Sequence, residues 1–230
     1  MSAHRPLLAT CADTVATHRF QHSNINLRTD DYGGDYKKRC RFTLELAKKL
    51  CDAVGRERVA VRLAPYGAFN ETRGEEREIQ WLYLCTELAK LGIAYIHLVE
   101  PRFDEFQSEE TKLKSLAESG GMPTLRPFCE AIRATDASVK IISAGGFTYD
   151  NAAQCVENGD YDAVAFGRYF TSNPDLVQRV KNGQRFYRYV RPRFYGPFPD
   201  DQALCYTDWE PKYQRVFADE TDRGKAQLVG

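Results

Sequence analysis

The chain has 230 residues, with 32 basic side chains balancing 32 acidic ones at a formal net charge of zero. That balance leaves no basic excess to neutralise phosphates, which excludes an ordinary nucleic-acid binder. No apolar run approaches the roughly 20 residues that a membrane-spanning helix needs, which excludes a membrane protein of that kind. Seven cysteines, Cys11, Cys40, Cys51, Cys85, Cys129, Cys155 and Cys205, include no C-x-x-C pair. The expectation is reduced thiols in a cytoplasmic protein, with neither a disulfide framework nor a metal site.

In chain order, residues 1–19 read as an irregular leader, because the weakly apolar stretch 7–17 is interrupted by Asp13. Residues 24–38 are dense in Asp, Asn, Thr and Gly and read as a loop. Phe42, Leu44, Leu46, Ala47, Leu50 and Val54 recur near helical spacing, predicting a helix over 41–54 that Gly55 ends. A β-branched run at 58–64 predicts a strand. The cycle repeats with helix 78–91, strand 93–99, a charged loop 100–122, helix 125–133 and strand 139–144. Helix 149–158, strand 163–166 and helix 173–182 follow, and an aromatic- and proline-rich irregular tail begins at Phe186. Four continuous apolar strands alternating with helices predict an α/β fold with a parallel sheet buried on both faces. Four βα units amount to half of a TIM (β/α)8 barrel, which typically needs about 250 residues.

The strongest chemical signal lies where the last two strands end. Ile141-Ile-Ser-Ala-Gly-Gly-Phe-Thr148 places two glycines before a helix, and Ala163-Val-Ala-Phe-Gly-Arg168 places a glycine and an arginine after the next strand. Glycines let backbone N–H groups approach an anion, a helix N-terminus favours negative charge, and arginine offers a fork that fits phosphate oxygens. Each glycine taken singly reads as a turn. Together, at this spacing, Gly145, Gly146, Gly167 and Arg168 read as a phosphate site.

These stretches do not stand alone. They occur in order with Asn26-Leu-Arg-Thr-Asp-Asp-Tyr-Gly-Gly34, Arg39-x-Arg-Phe-Thr-Leu-Glu45, Val61-Arg-Leu-Ala-Pro-Tyr-Gly67, His97-Leu-Val-Glu-Pro-Arg102 and Asn173-Pro174. In that combination the sequence resembles the old yellow enzyme family, especially its fungal and plant branch. The resemblance implies a TIM barrel that binds FMN, uses NAD(P)H as reductant and reduces activated alkenes in small-molecule substrates. It implies that Arg62 lies against the flavin N1 and C2 carbonyl, and that Gly145, Gly146, Gly167 and Arg168 hold the FMN phosphate. Phe69 matches a residue of the substrate channel, and Tyr206 a tyrosine near the substrate pocket that is a candidate catalytic group. His97 reads as a packed strand histidine.

The resemblance covers residues 20–215, read as a partial flavin oxidoreductase barrel between an unmatched leader, 1–19, and a tail, 216–230. In the family the first half of the barrel carries a His-x-x-Asn or His-x-x-His pair and a proton-donating tyrosine. None of His4, His18, His22 and His97 forms such a pair. The expectation is therefore the C-terminal half of a barrel, lacking the groups that activate an enone. Its exposed edges would invite a homodimer or a full-length paralogue as partner. Two other readings stand beside it. One is a non-redox isomerase, epimerase or cyclase, with Glu100 and Tyr206 as acid–base groups. The other is a non-catalytic partner of a full-length paralogue.

Overall fold

The computed structural model describes residues 7–10, 19–67, 74–101, 124–189 and 194. They fall into two compact units. The first runs to Gly146 and takes in Gln154–Ala165; the second comprises Phe147–Ala153 and the chain from Phe166 onward.

The first unit is built on five strands: β1 (Leu7–Thr10), β2 (Val59–Leu63), β3 (Tyr95–Val99), β4 (Lys140–Ala144) and β5 (Ala163–Ala165). Each pairs in parallel with the next, in the order β1-β2-β3-β4-β5. Purely sequential order is the winding of a βα barrel; a doubly wound sheet reverses its order at a switch point. The four expected strands are all present. The fifth, β1, falls where the sequence suggested an irregular leader, and it forms because residues 7–10 continue the ladder along the free edge of β2 in register Leu7↔Val59 to Thr10↔Arg62.

Helices α1 (Tyr36–Val54), α2 (Arg77–Lys90) and α3 (Arg126–Thr135) cross between the strands. Helix α1 starts five residues before the expected point because Asp35 caps it. The carboxylate accepts the N–H groups of Lys37 and Lys38 at 2.9 and 3.1 Å, and these donors hold its pKa below the usual carboxylate value. At the other end Gly55, at φ 90°, donates its N–H to the Cys51 carbonyl at 2.9 Å.

Residues in register on a parallel sheet share a face. One face carries Val59, Val61, Leu63, Ile96, Leu98, Ile141 and Ser143, all buried, beneath a helix layer that contributes Trp81, Leu84, Leu88, Phe128 and Ile132. The other face carries Ala60 and Val99, which are buried, and Arg62, Tyr95, His97, Ile142, Ala144, Ala163 and Ala165, which are half-buried. The expectation of burial on both faces holds in full for the helix-covered face and only at Ala60 and Val99 on the other. Only one face is roofed by helices, and the described strands form a sheet that does not close over the other.

The helix layer is also tied by a buried polar chain. Arg39 donates from Nε to Gln80 Oε1 at 2.8 Å, from Nη2 to Glu76 Oε2 at 3.1 Å, and from Nη1 to the Gly34 carbonyl. Gln80 donates to the Gln21 carbonyl, and Gln21 to Thr43 Oγ1 at 2.8 Å. Asn26 clamps the preceding loop by donating to the carbonyls of Phe20 and Tyr32, both at 2.7 Å. The motifs around Asn26 and Arg39 thus build scaffold.

Helix α4 (Tyr149–Glu157) begins in the second unit and ends in the first. Within the second unit a 3-10 turn, Arg168–Thr171, precedes the short helix α5 (Leu176–Lys181). The expected helix over 173–182 is shorter because Asn173 gives its side chain to the backbone around it. Its Nδ2 donates to the Tyr169 carbonyl at 2.8 Å, which fixes a turn. Phe186 gathers an aromatic cluster with Tyr149, Phe166 and Tyr169 at centroid distances of 5.9, 5.3 and 5.3 Å.

Candidate functional site

Arg62 is the fourth residue of β2 and lies on the half-buried face, in register with Thr10 of β1 and His97 of β3. It carries a positive charge at the face where a barrel holds its inner residues. Gly145 and Gly146 follow β4 directly with φ of 106° and 69°. Consecutive left-handed residues are strained for any side chain, so glycine is required by the backbone itself. Neither glycine itself puts a side chain into the turn at the carboxyl end of β4.

In the second unit Gly167 leads into the 3-10 turn, and a Cβ there would meet nothing within 4 Å. Packing leaves space beside this glycine. Arg168 opens the turn, donating from Nη1 to Tyr189 Oη at 3.2 Å with its guanidinium carbon 5.7 Å from the Tyr189 ring centroid. Both of these contacts are with Tyr189, and together they orient the guanidinium. Phe69 and Tyr206 lie outside the described residues. Among the described residues no cluster of three or more His, Cys, Asp or Glu could hold a metal ion, and no helix is long and apolar enough to cross a membrane.

Glu100 is the acid–base candidate of the non-redox reading. It follows β3, is buried, and accepts a hydrogen bond from the Tyr161 hydroxyl. Tyr161 lies near Ser143 and Cys129, which places the pair beneath the helices, on the face opposite Arg62. Burial first, and then the bond to Glu100, push the Tyr161 phenol well above its ordinary pKa. Three thiols of the same layer are also held protonated. Burial pushes Cys40 and Cys129 up from 9.0 to about 12, and raises Cys85 too. None is a reactive nucleophile. The roles of Tyr161 and Tyr189 had no counterpart in the sequence reading; the only hint was the aromatic richness of the region after Phe186.

In the second unit, an arginine beside a glycine turn is a donor type that suits an anionic group. A parallel, sequentially ordered sheet with such turns after its strands defines a segment of a βα barrel whose chemistry belongs at the carboxyl ends of the strands. The sequence model of the NADH:flavin oxidoreductase / NADH oxidase family matches residues 12–186, and the chain belongs to that family. It is 40% identical over 197 residues to the flavin oxidoreductase hxnT of Emericella nidulans, covering 83% of this chain and 50% of that protein. It is 35% identical over 192 residues to 12-oxophytodienoate reductase 2 of Arabidopsis thaliana, covering 83% and 46%. Among solved structures it resembles morphinone reductase, with a TM-score of 0.71 at 30% identity, covering 89% of this chain and 50% of that one. The chain spans about half the length of the relatives it matches, and its fold is half of a TIM barrel. The resemblance to the old yellow enzyme family, read from the motifs, stands.

Proposed function

We propose that this chain binds FMN and serves as a flavin-dependent oxidoreductase of the ene-reductase type, with NAD(P)H as reductant and a small molecule carrying an activated alkene as substrate. The observation that carries the reading is the pairing of β4 with β5. Ala144 and Ala165 are register partners, so neighbouring parallel strands end immediately before Gly145-Gly146 and Phe166-Gly167-Arg168. Membership of the flavin oxidoreductase family supports the choice of ligand.

In this reading the backbone of Gly145, Gly146 and Gly167 admits the phosphate, and Arg168 donates charge-assisted hydrogen bonds to it. Arg62 meets the isoalloxazine from β2, and its fixed cation favours negative charge developing there. When bound, FMN supplies the hydride chemistry that no side chain can. The protein contributes binding, orientation and charge.

Titration of the flavin-free protein with FMN, followed by flavin fluorescence, tests the reading. Stoichiometric binding is expected. Arg168→Ala should weaken it by on the order of 1.5–3 kcal/mol, the worth of a hydrogen bond to a charged group. Arg62→Ala should weaken it less and mainly lower the potential of the bound flavin. Failure to bind FMN, or an unchanged affinity in Arg168→Ala, overturns the assignment.

A further inference from the structure

We propose that Tyr189 is a positioning residue that holds Arg168 for the phosphate and so lets this protein prefer FMN over riboflavin; the inference rests on the flavin reading above. Arginine has a long, rotamer-rich side chain, and an arginine that must be ordered by its ligand loses part of the binding energy to that ordering. Arg168 is already ordered. Its Nη1 donates to Tyr189 Oη at 3.2 Å, and its guanidinium carbon lies 5.7 Å from the centre of the same ring. One residue thus supplies both a hydrogen-bond acceptor and a π surface.

Such a post works only if it is itself fixed, and several contacts fix it. Asn173, fully buried, grips both backbone groups of Tyr187, two residues before the post. Its Oδ1 accepts the Tyr187 N–H at 2.7 Å, and its Nδ2 donates to the Tyr187 carbonyl at 2.8 Å. Ser172 Oγ donates to that same carbonyl at 2.8 Å. The guanidinium of Arg179 stacks 4.0 Å from the Tyr187 ring centroid. The Tyr189 ring meets Tyr169 edge-on at 5.2 Å and Phe194 at 5.3 Å. The turn is anchored to the same clamp, because Asn173 Nδ2 also donates to the Tyr169 carbonyl at 2.8 Å and Thr171 Oγ1 donates to the Arg168 carbonyl at 2.6 Å. Asn173 therefore ties the backbone that carries the guanidinium to the backbone that carries its support. This is a pre-organised donor in the sense that lowers the cost of binding an anion.

The test compares affinities of the full chain for FMN and for riboflavin, which lacks the phosphate, by fluorescence titration of wild type and variants. A residue that acts through the phosphate arm changes the ratio of the two affinities, and a residue that merely supports the fold lowers both together. Arg168→Ala should cut the ratio at least tenfold. Tyr189→Leu should cut it about three- to tenfold, and Tyr189→Phe, which keeps the ring, by less. Riboflavin affinity should stay the same in all three. In an Arg168→Ala background Tyr189→Leu should have no further effect on the ratio, since the post then has nothing to hold. If Tyr189→Leu folds poorly, Tyr189→Phe alone still tests the hydroxyl. A ratio unchanged in the Tyr189 variants while Arg168→Ala lowers it overturns the positioning role. Equal loss of both ligands overturns it as well. A ratio unchanged in Arg168→Ala instead sinks the phosphate reading and, with it, this inference.

Discussion

The two faces of the sheet are made by the same five strands yet live under different rules. The face under the helices is closed, with Val61, Leu63, Ile96, Leu98 and Ile141 at or near zero exposure. Beneath it the Tyr161 hydroxyl donates to Glu100. The opposite face is mostly half-buried and carries Arg62 and His97 side by side in register. The lesson is that a strand residue's worth to stability is set by which side it points to, and neighbours along the chain answer to different demands.

Ile141 and Ile142 break or sharpen that comparison most directly, being consecutive, identical and on opposite faces. Ile141→Ala should cost about 2–5 kcal/mol, as a large-to-small change in a packed core does. Ile142→Ala should cost about half as much or less, because water already reaches it. Urea denaturation of the two variants measures this, and equal losses would mean that both faces are covered alike. Next in size is Tyr161→Phe, which leaves the buried Glu100 carboxylate without its phenol donor and should cost about 1–3 kcal/mol. A change below a few tenths would show that the carboxylate is satisfied without Tyr161.

The remaining effect vanishes near neutral pH, appears only above pH 9, and belongs to the helix-covered face alone. The Cys40 and Cys129 thiols bind their protons more tightly folded than unfolded, with pKa values of about 12 against 9.0. The unfolded chain therefore gains stability by losing these protons first. The contribution is whole below pH 9 and declines as pH rises toward 12, by about 1.4 kcal/mol per pH unit for each thiol. Cys40→Ala should flatten the slope of stability against pH above 9 by that amount. Identical slopes for wild type and variant would contradict the burial of this thiol.

Much of the first face was legible in the sequence, because continuous apolar runs bounded by Gly55, Gly92 and Gly145 mark strands and helix ends by composition alone. Four of the five strands lie within two residues of their expected bounds. Strand β1 escaped because four residues are too few for any periodicity, and its pairing is supplied by the edge of β2. The start of α1 escaped because its first turn is charged, so that Asp35 rather than an apolar repeat sets it. For the site, the glycine pair, Arg62 and Arg168 were readable from local motifs and the family resemblance. Tyr189 was not, since its contact with Arg168 joins positions 21 apart through an irregular segment that has no pattern to follow. Glu100 was read as a candidate acid because a carboxylate after a strand looks the same in sequence whichever face it turns to. Only the fold shows Tyr161 waiting beneath the helices.

The sequential strand order also bears on how the chain finds its shape. Every strand pairs with its predecessor, but the loops to be closed differ: Leu7 and Val59 are 52 positions apart, Val61 and Ile96 are 35, and Ile142 and Ala163 only 21. Closing the longest of these costs roughly 0.8 kcal/mol more chain entropy than closing the shortest, by the logarithmic scaling of loop closure. Strand β1 has four register pairs to offset the largest loop. The sheet is thus graded from end to end, with the β4–helix–β5 unit closing the smallest loop and β1 the largest.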